Sequence, residues 1–251
     1  MTYTAEDAAG NETTSSFTVT LTDDEDPAIA GTPANITQTA DAGQCGAVVN
    51  YTAPTSTDNC AVTSFTSTHD SGDTFAVGTT TVTYTAMDAA GNTTTSSFTV
   101  TVTDDENPAI SGTPANITLS NDAGICGAQA TWTEPTAADN CAIDTFTSTF
   151  SPGAMFAVGT TTVTYTAIDI HGNQSTSSFT VTVNDTENPV ITTAASDLTV
   201  ECDGSGNTTE LNTWLASHGG SAASDNCAVT SITNDYDAAN MSDLCGLTGA
   251  I

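Results

Sequence analysis

No lysine and no arginine occur among the 251 residues. Against 30 aspartates and glutamates stand only three histidines, which gives a formal net charge of −30. Ion pairs with basic side chains are thereby excluded as a way of holding the fold. Nucleic acid is excluded as a partner, because no basic side chain is present to neutralise phosphates. Anionic membrane surfaces are excluded on the same ground. Long apolar runs are missing too, and none approaches the roughly 20 residues of a membrane-spanning helix, so membrane insertion is not expected. Nor is a targeting segment expected at the start, where Met1 runs directly into TYTAEDAAGN. Low hydrophobicity with one-sided charge also describes disordered chains, but here Val, Phe and Tyr alternate regularly with threonine and serine, and that pattern predicts strands.

Repetition is the strongest feature present. MTYTAEDAAGNETTSSFTVTLTDDEDP (1–27) returns as VTYTAMDAAGNTTTSSFTVTVTDDENP (82–108), and again as VTYTAIDIHGNQSTSSFTVTVNDTENP (163–189). GTPANIT at 31–37 recurs at 112–118, and DNCA at 58–61 recurs at 139–142. Counted from the junction prolines, complete modules span 27–107 and 108–188. Residues 1–26 read as the last strands of an earlier module and 189–251 as the front of a later, variant one, so the chain reads as part of something longer.

Within a module the period is two. Ala47, Val49 and Tyr51 fall on one face of a strand, and the next copy keeps Ala128, Ala130 and Trp132 there while Val48 becomes Gln129. That exchange marks the solvent face. Val82, Tyr84 and Ala86 alternate inward with threonine outward, and so do Phe98, Val100 and Val102. Between these runs DAAGN (88–92) forms a short turn whose Gly91 suits a hairpin. About seven short strands per module, punctuated by Gly, Pro, Asn and Asp, predict an all-β protein of small antiparallel β-sandwiches, repeated in tandem as an elongated rod. In the last module TTELNTWLASHG predicts a short helix with Leu211, Trp214 and Leu215 on one side.

The succession DENPAI, PANIT, G-x-C-G, DNCA, VGTTTVTYTA-x-D-x-x-GN and SSFTVTV resembles the hyalin repeat, an immunoglobulin-like extracellular module of animal adhesive proteins and bacterial surface proteins. The variant last module is similar to repeats in long, cysteine-containing surface proteins of Bacteroidota. The resemblance implies a bacterial source of that kind, an extracellular or cell-surface location, and adhesion or a stalk rather than a reaction.

The cysteines suit that compartment. Cys45 precedes Cys60, and Cys126 precedes Cys141, by the same spacing within one module. Disulfides Cys45–Cys60, Cys126–Cys141 and Cys202–Cys227 are the expected pairs, with Cys245 bonding a cysteine beyond Ile251. A zinc site is the rival, but it lacks a nearby histidine or second pair. Closing a loop of about 15 residues contributes roughly 3 kcal/mol in the chain-entropy model.

The acids gather where one module ends and the next begins. Two or three carboxylates with an amide side chain make the oxygen-rich surroundings that calcium prefers, and the arrangement is similar to cadherin linkers. That similarity implies Asp23, Glu25 and Asp26 as ligands at the first junction, Asp104, Glu106 and Asn107 at the second, and Asp185, Glu187 and Asn188 at the third. The aspartate of each DNC (Asp58, Asp139, Asp225) would join from the following module, as would the turn residues Asp88 and Asp169. The other reading is a solvated edge that keeps strands from pairing with foreign chains. Asp41, Asp70, Asp73 and Asp122 read as solvated turn acids.

Catalysis finds no support. His69, His171 and His218 are scattered, and no serine has a base consistently placed beside it. Three functions stay open: a calcium-stiffened shaft supporting adhesion, an array whose loops bind surface glycans, and an accessory region of a secreted enzyme. Partners are neighbouring modules of a longer chain and, through strand donation between the incomplete ends, copies of the chain itself in a filament.

Overall fold

The computed structural model describes residues 1–200 and 208–236. Its contacts divide into two compact units. The first holds Met1–Pro108 with the segments Ala138–Asp144 and Ile168–Gln174, and the second holds Ala109–Ala137, Thr145–Ala167 and the chain from Ser175.

In the first unit, β1 (Thr2–Glu6) and β2 (Glu12–Ser16) form a hairpin in which Thr2 faces Ser16 and Glu6 faces Glu12. A complete module follows: β3 (Ala28–Ala30), β4 (Ile36–Thr39), β5 (Gly46–Val48), β6 (Thr55–Thr57), β7 (Val62–Ser67), β8 (Thr74–Ala76), β9 (Gly78–Asp88) and β10 (Thr93–Thr103). One sheet has the order β4-β10-β9-β7, while β3–β6 and β5–β8 are separate antiparallel pairs. β4 lies parallel to β10, with Ile36 opposite Val100. The recurrent PANIT fixes that edge, because Asn35 Oδ1 accepts the Thr99 N–H at 2.9 Å.

The core is what period two predicts. Ala47 and Val49 with Phe75 pack on Val82, Tyr84, Phe98, Val100 and Val102, all buried, while Val48 is 46% exposed. Each valine fully removed from water contributes about 1.5–3 kcal/mol. Threonines occupy the other face, where β-branching suits the pleat. β5 needs a close approach to β8, and Gly46 provides it: a Cβ there would lie 2.6 Å from the Phe75 carbonyl oxygen.

The same order recurs in β11 (Ala109–Ser111), β12 (Ile117–Ser120), β13 (Gly127–Gln129), β14 (Thr136–Ala138), β15 (Ile143–Ser148), β16 (Met155–Ala157), β17 (Gly159–Asp169) and β18 (Gln174–Asn184). Its large sheet runs β12-β18-β17-β15, with β11–β14 and β13–β16 as the smaller pairs. Ala128, Ala130, Phe156, Val163, Tyr165, Phe179, Val181 and Val183 form its core. Beyond it, β19 (Val190–Thr193) pairs with β20 (Ala222–Ser224) around α1 (Thr208–Ala216). α1 turns Leu211, Trp214 and Leu215 to its half-buried side, as the sequence predicts. The chain is therefore an all-β protein of tandem sandwich modules, with α1 the one α-helix among the described residues.

Candidate functional site

The D-x-x-G-N turn between the two long strands of each module is the anchor of the site. Asp88 is 2% exposed. Its Oδ1 accepts the N–H groups of Gly91 at 2.6 Å and Asn92 at 2.8 Å, and its Oδ2 accepts the Asn92 side-chain amide at 2.7 Å. Burial pushes this carboxyl up, but the Asn92 side chain and the N–H groups of Asn92, Gly91 and Ala90 outweigh it and hold Asp88 below the usual carboxylate range. Asp169 is held low in the same way: burial raises it, and Asn173, His171 and Gly172 overcome that. Each turn also reaches the acidic run before the module. Asn92 Nδ2 donates to the carbonyl oxygens of Asp23 (3.3 Å) and Glu25 (3.2 Å), and Asn173 Nδ2 donates to that of Asp104 (3.2 Å).

Three aspartates thus converge at the first junction. Carboxylate oxygens of Asp23, Asp58 and Asp88 lie within 4.8 Å of one another, and so do those of Asp104, Asp139 and Asp169 at the second. At the third, Asp185 and Asp225 gather around Cys227. His171 Nδ1 stands 3.0 Å from Asp104 Oδ2, and Cys141 belongs to that neighbourhood. Cys141 and Cys227 are both in disulfides, so neither sulfur offers a thiolate. The inner acids are therefore the first of each DDEN-type run, the DNC aspartate and the turn aspartate. Asp26, Asn107 and Asn188 are exposed.

The glutamates have a different task. Glu106 Oε2 accepts the Gly43 N–H at 2.9 Å, and Glu187 accepts that of Gly124 at 2.9 and 3.1 Å. Both glycines take positive φ, +70° and +71°, which a side chain would strain. They sit in D-A-G-x-C-G loops closed by the first aspartate: Asp41 Oδ2 accepts the Val48 N–H at 2.9 Å and Asp122 Oδ2 that of Gln129 at 3.0 Å. Asp41 is exposed, as the sequence predicts, and both aspartates also close their loops.

Those loops also carry the cysteines, and the expected pairing is corrected here. Cys45 bonds Cys141 with a Cα separation of 4.5 Å, and Cys126 bonds Cys227 at 4.6 Å. Cys45–Cys60 and Cys126–Cys141 do not form. Cys45 lies by Glu106 at the end of β10, whereas Cys60 lies beside Asp58 and the Asp88 turn where β10 begins. The 11 residues of β10 span roughly 35 Å at about 3.4 Å each, far beyond the roughly 7 Å that a disulfide bridges. Cys227 is taken by Cys126, while Cys202 and Cys245 lie outside the described residues. Cys60 is exposed and free.

Repeated antiparallel sandwiches, acidic clusters at their ends and disulfides between cysteines of successive repeats define an extracellular β-sandwich repeat protein. The HYR domain family matches residues 22–102 and 103–183. The chain belongs to that family. Hyalin of Strongylocentrotus purpuratus is 36% identical over 214 residues, covering 81% of this chain, and hyalin of Lytechinus variegatus is 38% identical over 198 residues, covering 76%. This chain spans only 18% and 37% of those two relatives. These relatives are animal proteins and give no support to a bacterial source in Bacteroidota. Among solved structures, a protocadherin gammaB7 EC3-6 cis-dimer aligns with 81% of this chain and 62% of its own at 17% identity and a TM-score of 0.33. Human protocadherin-24 EC1-2 aligns over 63% and 99% at 12% identity and a TM-score of 0.29.

Proposed function

We propose that the chain is a non-catalytic shaft of an extracellular adhesion protein, stiffened by calcium at its repeat junctions. The observation that carries this reading is a set of buried carboxylate oxygens with no hydrogen-bond partner: Asp23 Oδ2, Asp58 Oδ1 and Asp139 Oδ1. Each belongs to one of the three-aspartate clusters. An acceptor buried without a donor is destabilising by about 1–3 kcal/mol, and more when charged. Carboxylates about 4 Å apart repel by about 4 kcal/mol at an effective dielectric of 20. With no lysine or arginine in the chain, a cation from solution is the available counter-charge, and six to eight oxygen ligands suit calcium.

In this reading Asp23, Asp58 and Asp88 hold the ion at the first junction, Asp104, Asp139 and Asp169 at the second, and Asp185 with Asp225 contribute at the third. Glu106 and Glu187 hold the cysteine loops, and Glu25, Asp26, Asn107 and Asn188 complete the acidic rim. Neighbouring modules are the first partners, and copies of the chain follow if the shaft assembles into a filament. Calorimetric melting in millimolar calcium and in chelator tests the reading. A calcium concentration of about 100 times the dissociation constant adds about 2.7 kcal/mol, and superimposable melting curves would reject it.

A second reading has one observation in its favour. The loop at 149–155 departs from its counterpart at 68–74 and leaves Met155 52% exposed. Variable loops of this kind suit direct binding to a surface or glycan, and a glycan array probed with the whole chain checks it.

A further inference from the structure

We propose that Cys60 is a covalent docking site for a D-A-G-x-C-G loop of another hyalin-type module. Two occupied copies of the same seat lie within this chain. In each, the DNC cysteine bonds the cysteine of such a loop: Cys141 with Cys45, and Cys227 with Cys126. The aspartate two positions earlier presents all three cysteines alike. Asp58 Oδ2 accepts the Cys60 N–H at 2.8 Å, Asp139 Oδ2 that of Cys141 at 2.9 Å, and Asp225 Oδ1 that of Cys227 at 2.9 Å.

Two further contacts recognise the loop where it is present. The DNC asparagine donates to the carbonyl before the loop cysteine: Asn140 Nδ2 to Gln44 O and Asn226 Nδ2 to Ile125 O, each at 3.0 Å. The junction glutamate accepts the loop glycine N–H, Glu106 from Gly43 and Glu187 from Gly124. At Cys60 the same two side chains exist and turn on each other instead, Asn59 Nδ2 donating to Glu25 Oε2 at 2.9 Å. The asparagine and the glutamate there satisfy one another, and the sulfur is exposed. An incoming loop would separate that pair, giving Asn59 its carbonyl, Glu25 its glycine N–H and Cys60 its sulfur. This inference does not depend on calcium at the neighbouring aspartates.

The chemistry balances with a disulfide oxidant such as oxidised glutathione. One thiolate attacks it and releases one glutathione thiol, and the second cysteine displaces the other. Two protons and two electrons leave the cysteine pair, and the oxidant is reduced to two thiols.

The test uses the whole chain in a glutathione redox buffer with the capped peptide DAGQCGAVVN, and a scrambled peptide that keeps cysteine in place. Intact mass and peptide mapping read the ratio of peptide adduct to glutathione adduct at Cys60. The loop peptide is expected to exceed the scrambled one by roughly tenfold, the size of about one net hydrogen bond, because the two bonds gained replace the one between Asn59 and Glu25. Glu25→Ala with Asn59→Ala should bring that ratio down to the scrambled level. Equal trapping of both peptides overturns the recognition. Mapping the protein from its natural source without reduction gives an independent answer. Cys60 joined to a D-A-G-x-C-G peptide supports the proposal, and the non-reduced mass tells a loop of the same polypeptide from one of a second chain. A Cys60 recovered as a free thiol overturns it.

Discussion

Glu106 accepts the backbone N–H of Gly43 at 2.9 Å, across 63 positions of sequence. The glutamate belongs to the acidic run, yet it serves the cysteine loop. Glu106→Ala should therefore loosen residues 41–46, at a cost of about 0.5–1.5 kcal/mol, and speed hydrogen exchange at the Gly43 amide. An unchanged exchange rate there would mean that the contact does not hold the loop.

Opposite outcomes are expected for one pair of substitutions in two solutions. Asp104→Asn with Asp139→Asn removes two charges from a cluster whose oxygens lie within 4.8 Å. In chelator the variant should melt at or above the wild-type temperature, because repulsion is relieved. In millimolar calcium it should melt below wild type, having lost the ion's contribution. A variant less stable by the same amount in both solutions would point to a purely structural role.

Acid should weaken the turns. Asp88 and Asp169 are held below their ordinary value of 3.8, so the stability they contribute is complete above the unfolded-state value. It is lost as pH falls through the lower folded-state value. Urea unfolding in chelator should show wild type ahead of Asp88→Asn with Asp169→Asn at neutral pH. The gap should close as pH drops below about 4, and a gap constant with pH would contradict the assignment.

Gly46→Ala tests the close approach of β5 to β8. A methyl group 2.6 Å from the Phe75 carbonyl oxygen forces the strands apart, an overpacking that destabilises by about 1–3 kcal/mol. Gly127→Ala should do the same against Phe156, where the corresponding distance is 2.5 Å. Chemical denaturation of each variant measures it, and a loss under a few tenths of a kcal/mol would show that the strand pair adjusts.

Much of this arrangement is written in the repeats. The change from Val48 to Gln129 identifies the outer face, and the inner series Ala47, Val49, Val82, Tyr84, Phe98, Val100 and Val102 is buried. The acidic runs and the D-x-x-G-N turns signal their meeting by recurring together at one fixed offset. The cysteine partners are not legible in this way. Cys45 and Cys60 are near in sequence, but a strand's length separates them in space, and spacing along a chain does not reveal which end of a sheet each loop occupies. Asp41 looks like any surface turn acid until the Val48 N–H is seen to point at it.

The two disulfides among the described residues span 45–141 and 126–227, so their loops overlap. A single backbone cut anywhere between residues 45 and 227 leaves a covalent path from one fragment to the other. Bonds confined to one repeat, Cys45–Cys60 and Cys126–Cys141, would let a nick between residues 60 and 126 sever the chain. Overlapping links make the protein tolerant of clipping: a molecule cut once stays one covalent piece until a reductant arrives. On a non-reducing gel such a nicked chain runs as one band, and with reductant it falls into two.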